Sequence, residues 1–358
     1  MIKLRQQKTS GIETDDRLMI EAFPGYARKL PSGDWKFSLS GVVYQPPESF
    51  NMRQRMMIRM LGNAMQATPE QLQCDMFQTR VAPFLAEAEH KRHLNVTIGD
   101  QLFRLSRRTY RNGHFRGTVG VSQALVERTL STGSGGRDVP YRVELADQST
   151  VVAEGVVRLI TDGGLSVISD IDDTIKVSGV GNRKELLANT FLREFKSVTG
   201  MSELYQQWDA LGASFHYVSS SPWQLYRALQ GLHTELRFPA GTMHLRNFRL
   251  RDQLLKKFRI RRHGKVSAIQ SLLKGLPGQK FVLIGDSGEK DPEIYRRICR
   301  RFPGRVIGLF IRDLPHRRMT DERLLKLRKA LPDGICDRYE SAEALRKTVG
   351  NLFSKSAT

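Results

Sequence analysis

Between residues 165 and 311, short apolar segments alternate with segments of helical periodicity, and this alternation constrains the fold more than any other feature. The apolar segments that we interpret as strands are LSVIS (165–169), ASFHYVS (213–219), KFVLIGD (280–286) and RVIGLFI (305–311). The helical segments are ELLANTFLREF (185–195), MSELYQQWDALG (201–212), WQLYRALQGL (223–232) and PEIYRRICRRF (292–302). This order predicts an α/β domain, over 161–358, whose parallel sheet is covered by helices on both faces. In such sheets, ligands bind beyond the carboxyl ends of the strands.

The first 160 residues have a different pattern, in which apolar and polar residues alternate over short runs that end at turns. The runs are 35–39, 94–98, GHFRGTVGV (113–121) and TVVAEGVVRLI (150–160). An alternation with period two is typical of half-buried strands. We therefore predict an antiparallel, β-sandwich-like N-terminal domain over 1–160.

One helix, at about 49–66, is expected to interrupt these strands. Its methionines repeat at helical spacing and arginines lie between them: Met52, Met56 and Met60; Met57 and Met65 with Leu61; Arg53, Arg55 and Arg59. A basic amphipathic helix can lie in a membrane interface. The alternative is that the methionines pack on the sandwich.

The charge of the chain limits its partners. It has 57 Lys+Arg against 37 Asp+Glu, a formal net charge of +20. Residues 1–160 hold 22 basic and 16 acidic residues, so +6, which leaves 35 and 21, or +14, for the rest. Such an excess favours nucleic acid, an acidic membrane surface or phosphorylated substrates, although a merely solvated basic surface would have the same composition.

Composition also bears on the compartment. Three widely spaced cysteines favour a reducing compartment and no zinc site. No apolar run approaches the roughly 20 residues of a membrane span, and the N-terminus lacks the apolar core of a signal peptide. We expect a cytoplasmic protein whose membrane contact, if any, is peripheral; the sequence makes no prediction about its oligomeric state.

Polar residues occur at the ends of the predicted strands and the starts of the predicted helices, which meet at one edge of the sheet. Asp170 and Asp172 follow the first strand, Ser219 and Asp286 follow two others, and Lys265 opens a helix. Each residue alone has a structural explanation, because Asp and Ser favour turns and helix N-caps and most lysines are solvated. Together they predict a site.

The residue types suit metal-assisted phosphoryl transfer. Mg²⁺ prefers carboxylate and phosphate oxygens, so a bound cation would relieve the repulsion among the aspartates of DIDD. Asp170 could then attack phosphorus and form an aspartyl-phosphate, while Asp172 serves first as acid and then as base. Ser219 and Lys265 could hold the non-bridging oxygens. Asp291 could orient metal-bound water or the lysine.

These residues carry a family resemblance. SDIDDT, YVSSSPW, Lys265 and GDSGEKDPEIY resemble the four motifs of haloacid-dehalogenase-type phosphatases, which implies a Rossmann-like parallel sheet. The site residues that the resemblance implies are Asp170 as nucleophile, Asp172 as acid/base, and Lys265 as the third-motif lysine; Thr174, Ser219 and Ser220 for phosphate; and Asp170, Asp172, Asp286 and Asp291 for Mg²⁺. Because only 45 residues separate Thr174 from Ser219, and 46 separate Ser219 from Lys265, we expect a minimal cap and an open site.

Within that superfamily the chain is similar to the actin-patch-associated phosphatidate phosphatase family. The similar segments are GLSVISDIDDTIKVSGV, NTFLREF, FHYVSSSPWQLY, FPAGTMHLR and FVLIGDSGEKDPEIY, within about 163–300. One departure is Ser220, where the family pattern has asparagine. The resemblance implies a Mg²⁺-dependent lipid phosphatase that converts phosphatidate to diacylglycerol and phosphate.

Two alternatives remain open from the residues. The stretch from His244 to Lys265 holds nine Lys/Arg and one acid, Asp252, and would draw an acidic membrane surface to the site. A phosphatase of protein or nucleic-acid ends would also use a basic surface, although Phe248 and Phe258 alone are few aromatics for a single-strand binder. A non-catalytic anionic-lipid-binding module is the other alternative, but it would need no acid/base pair.

Overall fold

The computed structural model describes residues 17–131, 136–179, 181–247, 263–350 and 352–353. The strands are β1 (Met19–Lys29), β2 (Trp35–Gln45), β3 (Glu87–Ala88), β4 (Leu94–Ile98), β5 (Gln101–Arg104), β6 (His114–Val121), β7 (Asp138–Leu145), β8 (Gln148–Ile160), β9 (Leu165–Ser169), β10 (Lys176–Val177), β11 (Lys196–Ser197), β12 (Ser214–Pro222), β13 (Gly241–Arg246), β14 (Lys280–Asp286), β15 (Val306–Arg312) and β16 (Ile335–Tyr339). The helices are α1 (Met52–Met65), α2 (Pro69–Gln73), α3 (Asp75–Leu85), α4 (Gln123–Ser131), α5 (Arg183–Phe191), α6 (Met201–Ala210), α7 (Tyr226–Glu235), α8 (His263–Gly275), α9 (Asp291–Arg301), α10 (Asp321–Arg328) and α11 (Ala342–Val349), with a 3-10 turn at Trp223–Leu225.

The N-terminal strands form one sheet with the order β3-β2-β1-β8-β7-β4-β5, and β6 also pairs with β2. All of its pairings are antiparallel except that of β1 with β8. The sequence alternation predicted these strands and their buried faces: Phe37 and Leu39 of β2 and Val96 of β4 are buried. The β-rich character is confirmed, whereas the division into the two packed layers of a sandwich stays a prediction.

The C-terminal strands form a six-stranded sheet with the order β13-β12-β9-β14-β15-β16, and every pairing in it is parallel. All five residues of β9 are buried, as expected for a strand covered on both faces. The parallel sheet is therefore confirmed, while the haloacid-dehalogenase type and the minimal cap stay predictions. The edge strands β13 and β16 are additions that the apolar pattern did not reveal.

The prediction of one helix in the first 160 residues was wrong, because the structure adds α2, α3 and α4. The predicted helix at about 49–66 is α1, which Asn51 and Gln54 begin with a reciprocal capping box. In α3, Phe77, Val81 and Phe84 form a buried face at helical spacing, despite Pro83 within the helix. A proline inside a helix removes one backbone hydrogen bond and is unfavourable there.

Helices α1 and α3 pack against α5, which comes from the C-terminal half. The rings of Phe84 and Phe191 lie 5.3 Å apart, and those of Tyr44 and Trp223 also lie 5.3 Å apart. One hydrophobic cluster thus includes residues from both halves of the chain. A division near residue 160 separates two sheets, but it does not separate two independent cores.

None of the helices in the described part of the chain combines the length and hydrophobicity that a bilayer crossing requires. Most of the basic stretch, residues 248–262, lies outside the described residues.

Candidate functional site

The predicted site residues meet at the carboxyl end of the parallel sheet. Asp170 directly follows β9, Ser219 lies in the last part of β12, and Asp286 ends β14. Lys265 lies in the first turn of α8, and Asp291 begins α9. Because β12 and β14 flank β9 and run parallel to it, residues far apart in sequence reach one edge.

Asp170 is 1 % exposed and has a cationic partner. Its Oδ1 accepts a hydrogen bond from Lys265 Nζ at 2.7 Å, and its Oδ2 accepts one from Thr174 Oγ1 at 3.3 Å. Lys265 also donates to Asp291. Burial and the carboxylate of Asp291 raise the pKa of Asp170 in spite of the lysine. Burial would lower the pKa of Lys265, but Asp170 and Asp291 outweigh it and raise that pKa, so the lysine is charged.

Asp286 completes a cluster of three buried carboxylates with Asp170 and Asp291, whose oxygens lie within 4.8 Å of one another. Asp286 Oδ1 accepts hydrogen bonds from the backbone amides of Gly288 and Glu289, whereas the buried Oδ2 has no hydrogen-bond partner among the described residues. Burial and the charge of Asp291 raise the pKa of Asp286 to about 8. An orphaned oxygen in an all-carboxylate cluster fits a hard divalent cation. The cluster can therefore hold such a metal.

Asp172 lies in a separate, densely bonded environment. Its Oδ1 accepts from Lys176 Nζ at 2.8 Å and Ser178 Oγ at 2.6 Å, and its Oδ2 accepts from Ser219 Oγ at 3.0 Å and Ser221 Oγ at 2.6 Å. Burial would raise the pKa of Asp172, but the charge of Lys176 and these hydrogen bonds outweigh it and hold the pKa well below its ordinary value. Two aspartates two residues apart are thus shifted in opposite directions.

The turn after β9 explains the third aspartate of DIDD. Asp173 adopts a left-handed conformation with a φ of 54°, and its Oδ1 accepts the amides of Ser178 at 2.7 Å and Gly179 at 3.0 Å. Arg312 donates to the Asp173 carbonyl at 2.8 Å. Asp173 therefore closes the turn that carries Lys176 and Ser178 to Asp172.

Besides Ser221, which donates to Asp172, three residues near the predicted ones were missed by the sequence reasoning. Lys176 and Ser178 are buried partners of Asp172. Glu289 accepts from Ser220 Oγ at 3.3 Å, and burial raises its pKa to about 7. Ser220 was predicted to contact phosphate, and here its partner is this glutamate. All three lie within the motifs already singled out, so their proximity to Asp172 and Asp286 in sequence was the available signal.

A cavity of about 700 Å³ adjoins the site. Ser219 and Lys265 line it from the catalytic side, and Tyr110, His114 and Arg116 line it from the N-terminal sheet and the loop before β6. The N-terminal half therefore forms part of the surface next to the predicted phosphate-binding residues.

Part of the C-terminal half of the chain is similar in sequence to known proteins. Residues 165–313 match the family described as phosphatidate phosphatase APP1, catalytic domain. An uncharacterised protein of Schizosaccharomyces pombe is 34% identical over 163 residues, which cover 44% of this chain and 26% of that protein. Phosphatidate phosphatase APP1 of Saccharomyces cerevisiae is 34% identical over 155 residues, which cover 42% of this chain and 26% of that protein.

The match thus spans about a quarter of the length of either relative. It includes β9, β12 and β14 and every residue of the site described above. Over residues 165–313, the chain is similar to the phosphatidate phosphatase APP1 catalytic-domain family, the resemblance that its motifs predicted.

Proposed function

We propose that the protein is a Mg²⁺-dependent phosphatidate phosphatase that releases diacylglycerol and phosphate through an aspartyl-phosphate at Asp170. The observation that carries the proposal is the buried cluster of Asp170, Asp286 and Asp291 at the carboxyl ends of β9 and β14, with the charged Lys265 beside it and an orphaned oxygen on Asp286. The match of residues 165–313 to the phosphatidate phosphatase catalytic-domain family supports the reaction class. The position of the nucleophile after a central parallel strand supports a haloacid-dehalogenase-type fold.

In the proposed first step, a carboxylate oxygen of Asp170 attacks phosphorus as the bond to the glycerol oxygen breaks. Mg²⁺ held by Asp170, Asp286 and Asp291 would supply positive charge that lets the anionic phosphate approach. Asp172, which was also predicted as a metal ligand, is instead bonded to Lys176 and three serines. Lys265 binds a non-bridging phosphate oxygen and limits the motion of Asp170, which it contacts at 2.7 Å.

Asp172 is proposed to move the proton. Lys176 favours its ionised form, which is the form that can take a proton from the water that hydrolyses the aspartyl-phosphate. A phosphate anion next to Asp172 opposes the effect of Lys176 on the pKa. Substrate binding would therefore favour the protonated acid, which gives its proton to the departing glycerol oxygen. Ser219 and Thr174 offer hydroxyls to the phosphate.

A lipid substrate is supported by the cavity beside Ser219 and Lys265. Its walls combine apolar and basic side chains, among them Phe115, Met243 and Arg116, which suits the glycerol backbone beyond the phosphate. The same proposal includes a peripheral contact with an acidic membrane surface, since phosphatidate resides in one.

The test is a side-by-side assay of phosphate release from phosphatidate in mixed micelles, a phosphopeptide and a 3′-phosphorylated oligonucleotide. We expect release from phosphatidate that requires Mg²⁺, and none from Asp170→Asn. Preference for the oligonucleotide or the peptide would replace the lipid assignment with a phosphatase of nucleic-acid or protein ends. No release from any of the three would leave the lipid-binding module as the better account.

The metal assignment has its own readout. Isothermal titration of Mg²⁺ into the unmodified protein should show a site that Asp286→Ala weakens at least tenfold, because the variant lacks a buried carboxylate ligand. Glu293→Ala, which removes an exposed carboxylate from the first turn of α9, is the matched control. Full activity after exhaustive chelation would contradict the assignment.

A further inference from the structure

Helix α1 has two apolar faces, and the residues that the structure describes cover only one of them. On the inner face, Ile58, Leu61 and Met65 pack into the cluster shared by the two halves of the chain. On the outer face, Met52 is 86%, Met56 63% and Met60 43% exposed. A helix that is apolar on both sides but buried on one leaves the second side to another partner.

The outer methionines form one ridge. A helix turns by about 100° per residue, so steps of four advance by about 40° and the ridge from Met52 to Met60 spans about 80°. By the same geometry, Arg55 and Arg59 lie on one side of the ridge and Arg53 on the other. Apolar side chains are thus flanked by cations on both sides.

These cations are not neutralised within the described part of the protein. Helix α1 contains no acidic residue, its three arginines are exposed, and no ion pair of Arg53, Arg55 or Arg59 occurs among the described residues. Arg55 donates to the Phe50 carbonyl, which leaves its charge uncompensated. The outer face therefore carries three unpaired positive charges beside its apolar ridge.

Helix α1 is also connected to the candidate site. It packs on α5, which begins soon after the turn that holds Asp172. In α5, Asn189 donates to the Ser178 carbonyl at 3.1 Å, and Ser178 donates to Asp172 at 2.6 Å. Beyond the end of α1, Lys184 of α5 donates to Gln66. Two layers of contact thus separate the outer face from the proposed acid/base.

We propose that the outer face of α1, defined by Met52, Met56, Met60, Arg53, Arg55 and Arg59, docks onto an acidic lipid surface. The unbranched methionines enter the boundary between headgroups and acyl chains, and the arginines meet lipid phosphates on either side. An acidic membrane is favoured over a protein partner by this charge pattern, an apolar ridge between two basic flanks. The choice of lipid rests on the proposed function, but the docking itself requires no catalysis.

The test is sedimentation of the full chain with vesicles of phosphatidylcholine, with and without phosphatidate. The variant Met52→Gln/Met56→Gln/Met60→Gln removes the ridge with a residue that favours helices. Leu102→Gln/Leu325→Gln is the matched control, because both leucines are exposed on other elements. We expect the ridge variant to bind phosphatidate-containing vesicles at least tenfold more weakly, and the control to bind like the unmodified protein.

A second variant tests the charges. Arg53→Gln/Arg55→Gln/Arg59→Gln should weaken binding to acidic vesicles at least tenfold and leave binding to neutral vesicles unchanged. Turnover of a soluble aryl phosphate should stay within twofold of the unmodified protein in both variants, which shows that they are folded. Vesicle binding that is equal in the ridge variant and the unmodified protein would overturn the proposal, as would equal binding of the unmodified protein to neutral and acidic vesicles. A failure of the proposed function would appear separately: the unmodified protein would bind the vesicles but would not turn over the aryl phosphate.

Discussion

The two aspartates of the D-x-D motif have pKa values that their neighbouring residues shift in opposite directions. Burial and neighbouring carboxylates raise the pKa of Asp170, whereas Lys176 lowers that of Asp172. The same side-chain type can therefore serve two functions two positions apart. The partners of each aspartate, rather than its position in the motif, determine the difference.

Asp172→Asn should reduce turnover in a way that depends on the leaving group. The amide cannot donate a carboxylic proton, so phosphatidate, with an alkoxide leaving group, should lose much more activity than an aryl phosphate, which needs less protonation. The measurement is kcat/KM for both substrates in the variant and the unmodified protein. Equal losses on both would argue against Asp172 as the acid.

Gly285→Ala should damage the metal cluster. A Cβ at this position would lie 2.2 Å from Asp291 Oδ2, so this buried carboxylate would have to move. We expect Mg²⁺ affinity and activity to fall at least tenfold, with a destabilisation of about 1–3 kcal/mol. Gly231→Ala is the control, since a Cβ there meets nothing within 4 Å. If Gly285→Ala binds Mg²⁺ normally, the cluster tolerates more displacement than its packing indicates.

At the scale of elements, helices from the N-terminal half complete the core of the catalytic half. Helix α3 presents Phe77 and Phe84 to Phe191 of α5, at 6.2 and 5.3 Å between ring centroids. Neither helix could bury these rings alone. The helices between β2 and β3 are therefore structural parts of the catalytic half, although they precede it in the chain.

Phe84→Ala should consequently destabilise the catalytic half as well as its own helix. Truncating a buried phenylalanine costs about 3–5 kcal/mol, whereas Leu325→Ala, at an exposed position of α10, should cost under about 1 kcal/mol. Urea unfolding followed by tryptophan fluorescence measures both, because Trp35 lies in the N-terminal sheet and Trp208 and Trp223 in the C-terminal half. Two separate unfolding transitions, of which Phe84→Ala shifts only the one that belongs to the N-terminal half, would show that the halves unfold independently.

At the scale of the whole molecule, buried neutral histidines link stability to pH. His216 is 0% and His233 9% exposed, and burial lowers their pKa values to about 3 and about 4. The unfolded chain binds a proton at each near pH 6.5 and the folded chain does not, so their stability contribution is complete above pH 6.5 and lost as pH falls toward 4. The slope approaches about 1.4 kcal/mol per pH unit for each histidine.

Denaturant unfolding at pH 7 and pH 5 measures this effect. The free energy of unfolding should be lower at pH 5. The two histidines contribute about equally to the difference in unfolding free energy between pH 7 and pH 5. His233→Leu should therefore remove about half of their joint contribution to that difference. A variant with an unchanged pH dependence would show that His233 is protonated in the folded protein.

The sequence by itself determined the parallel sheet, β9 and β14 to the residue, α1 to within three residues, and which polar residues meet at the carboxyl end of that sheet. These features are encoded locally: hydrophobic periodicity defines strands and helices, and the order of strands and helices brings their carboxyl ends to one edge. Asp170, Lys265 and Asp286 could be named because each lies at the end of a strand or near the start of a helix, and Asp291 because it follows Asp286 by five positions.

Only the tertiary structure decided which of these residues are partners and what covers them. A lysine four residues after an aspartate is ordinarily solvated, but the tertiary structure buries Lys176, whose ammonium lies 2.8 Å from Asp172 and 4.8 Å from the centroid of the Phe195 ring. Likewise, both methionine rows of α1 read alike in the sequence, and contact with α5 determines which row is buried and which faces outward. Burial is a property of contacts between distant segments, and no local pattern contains it.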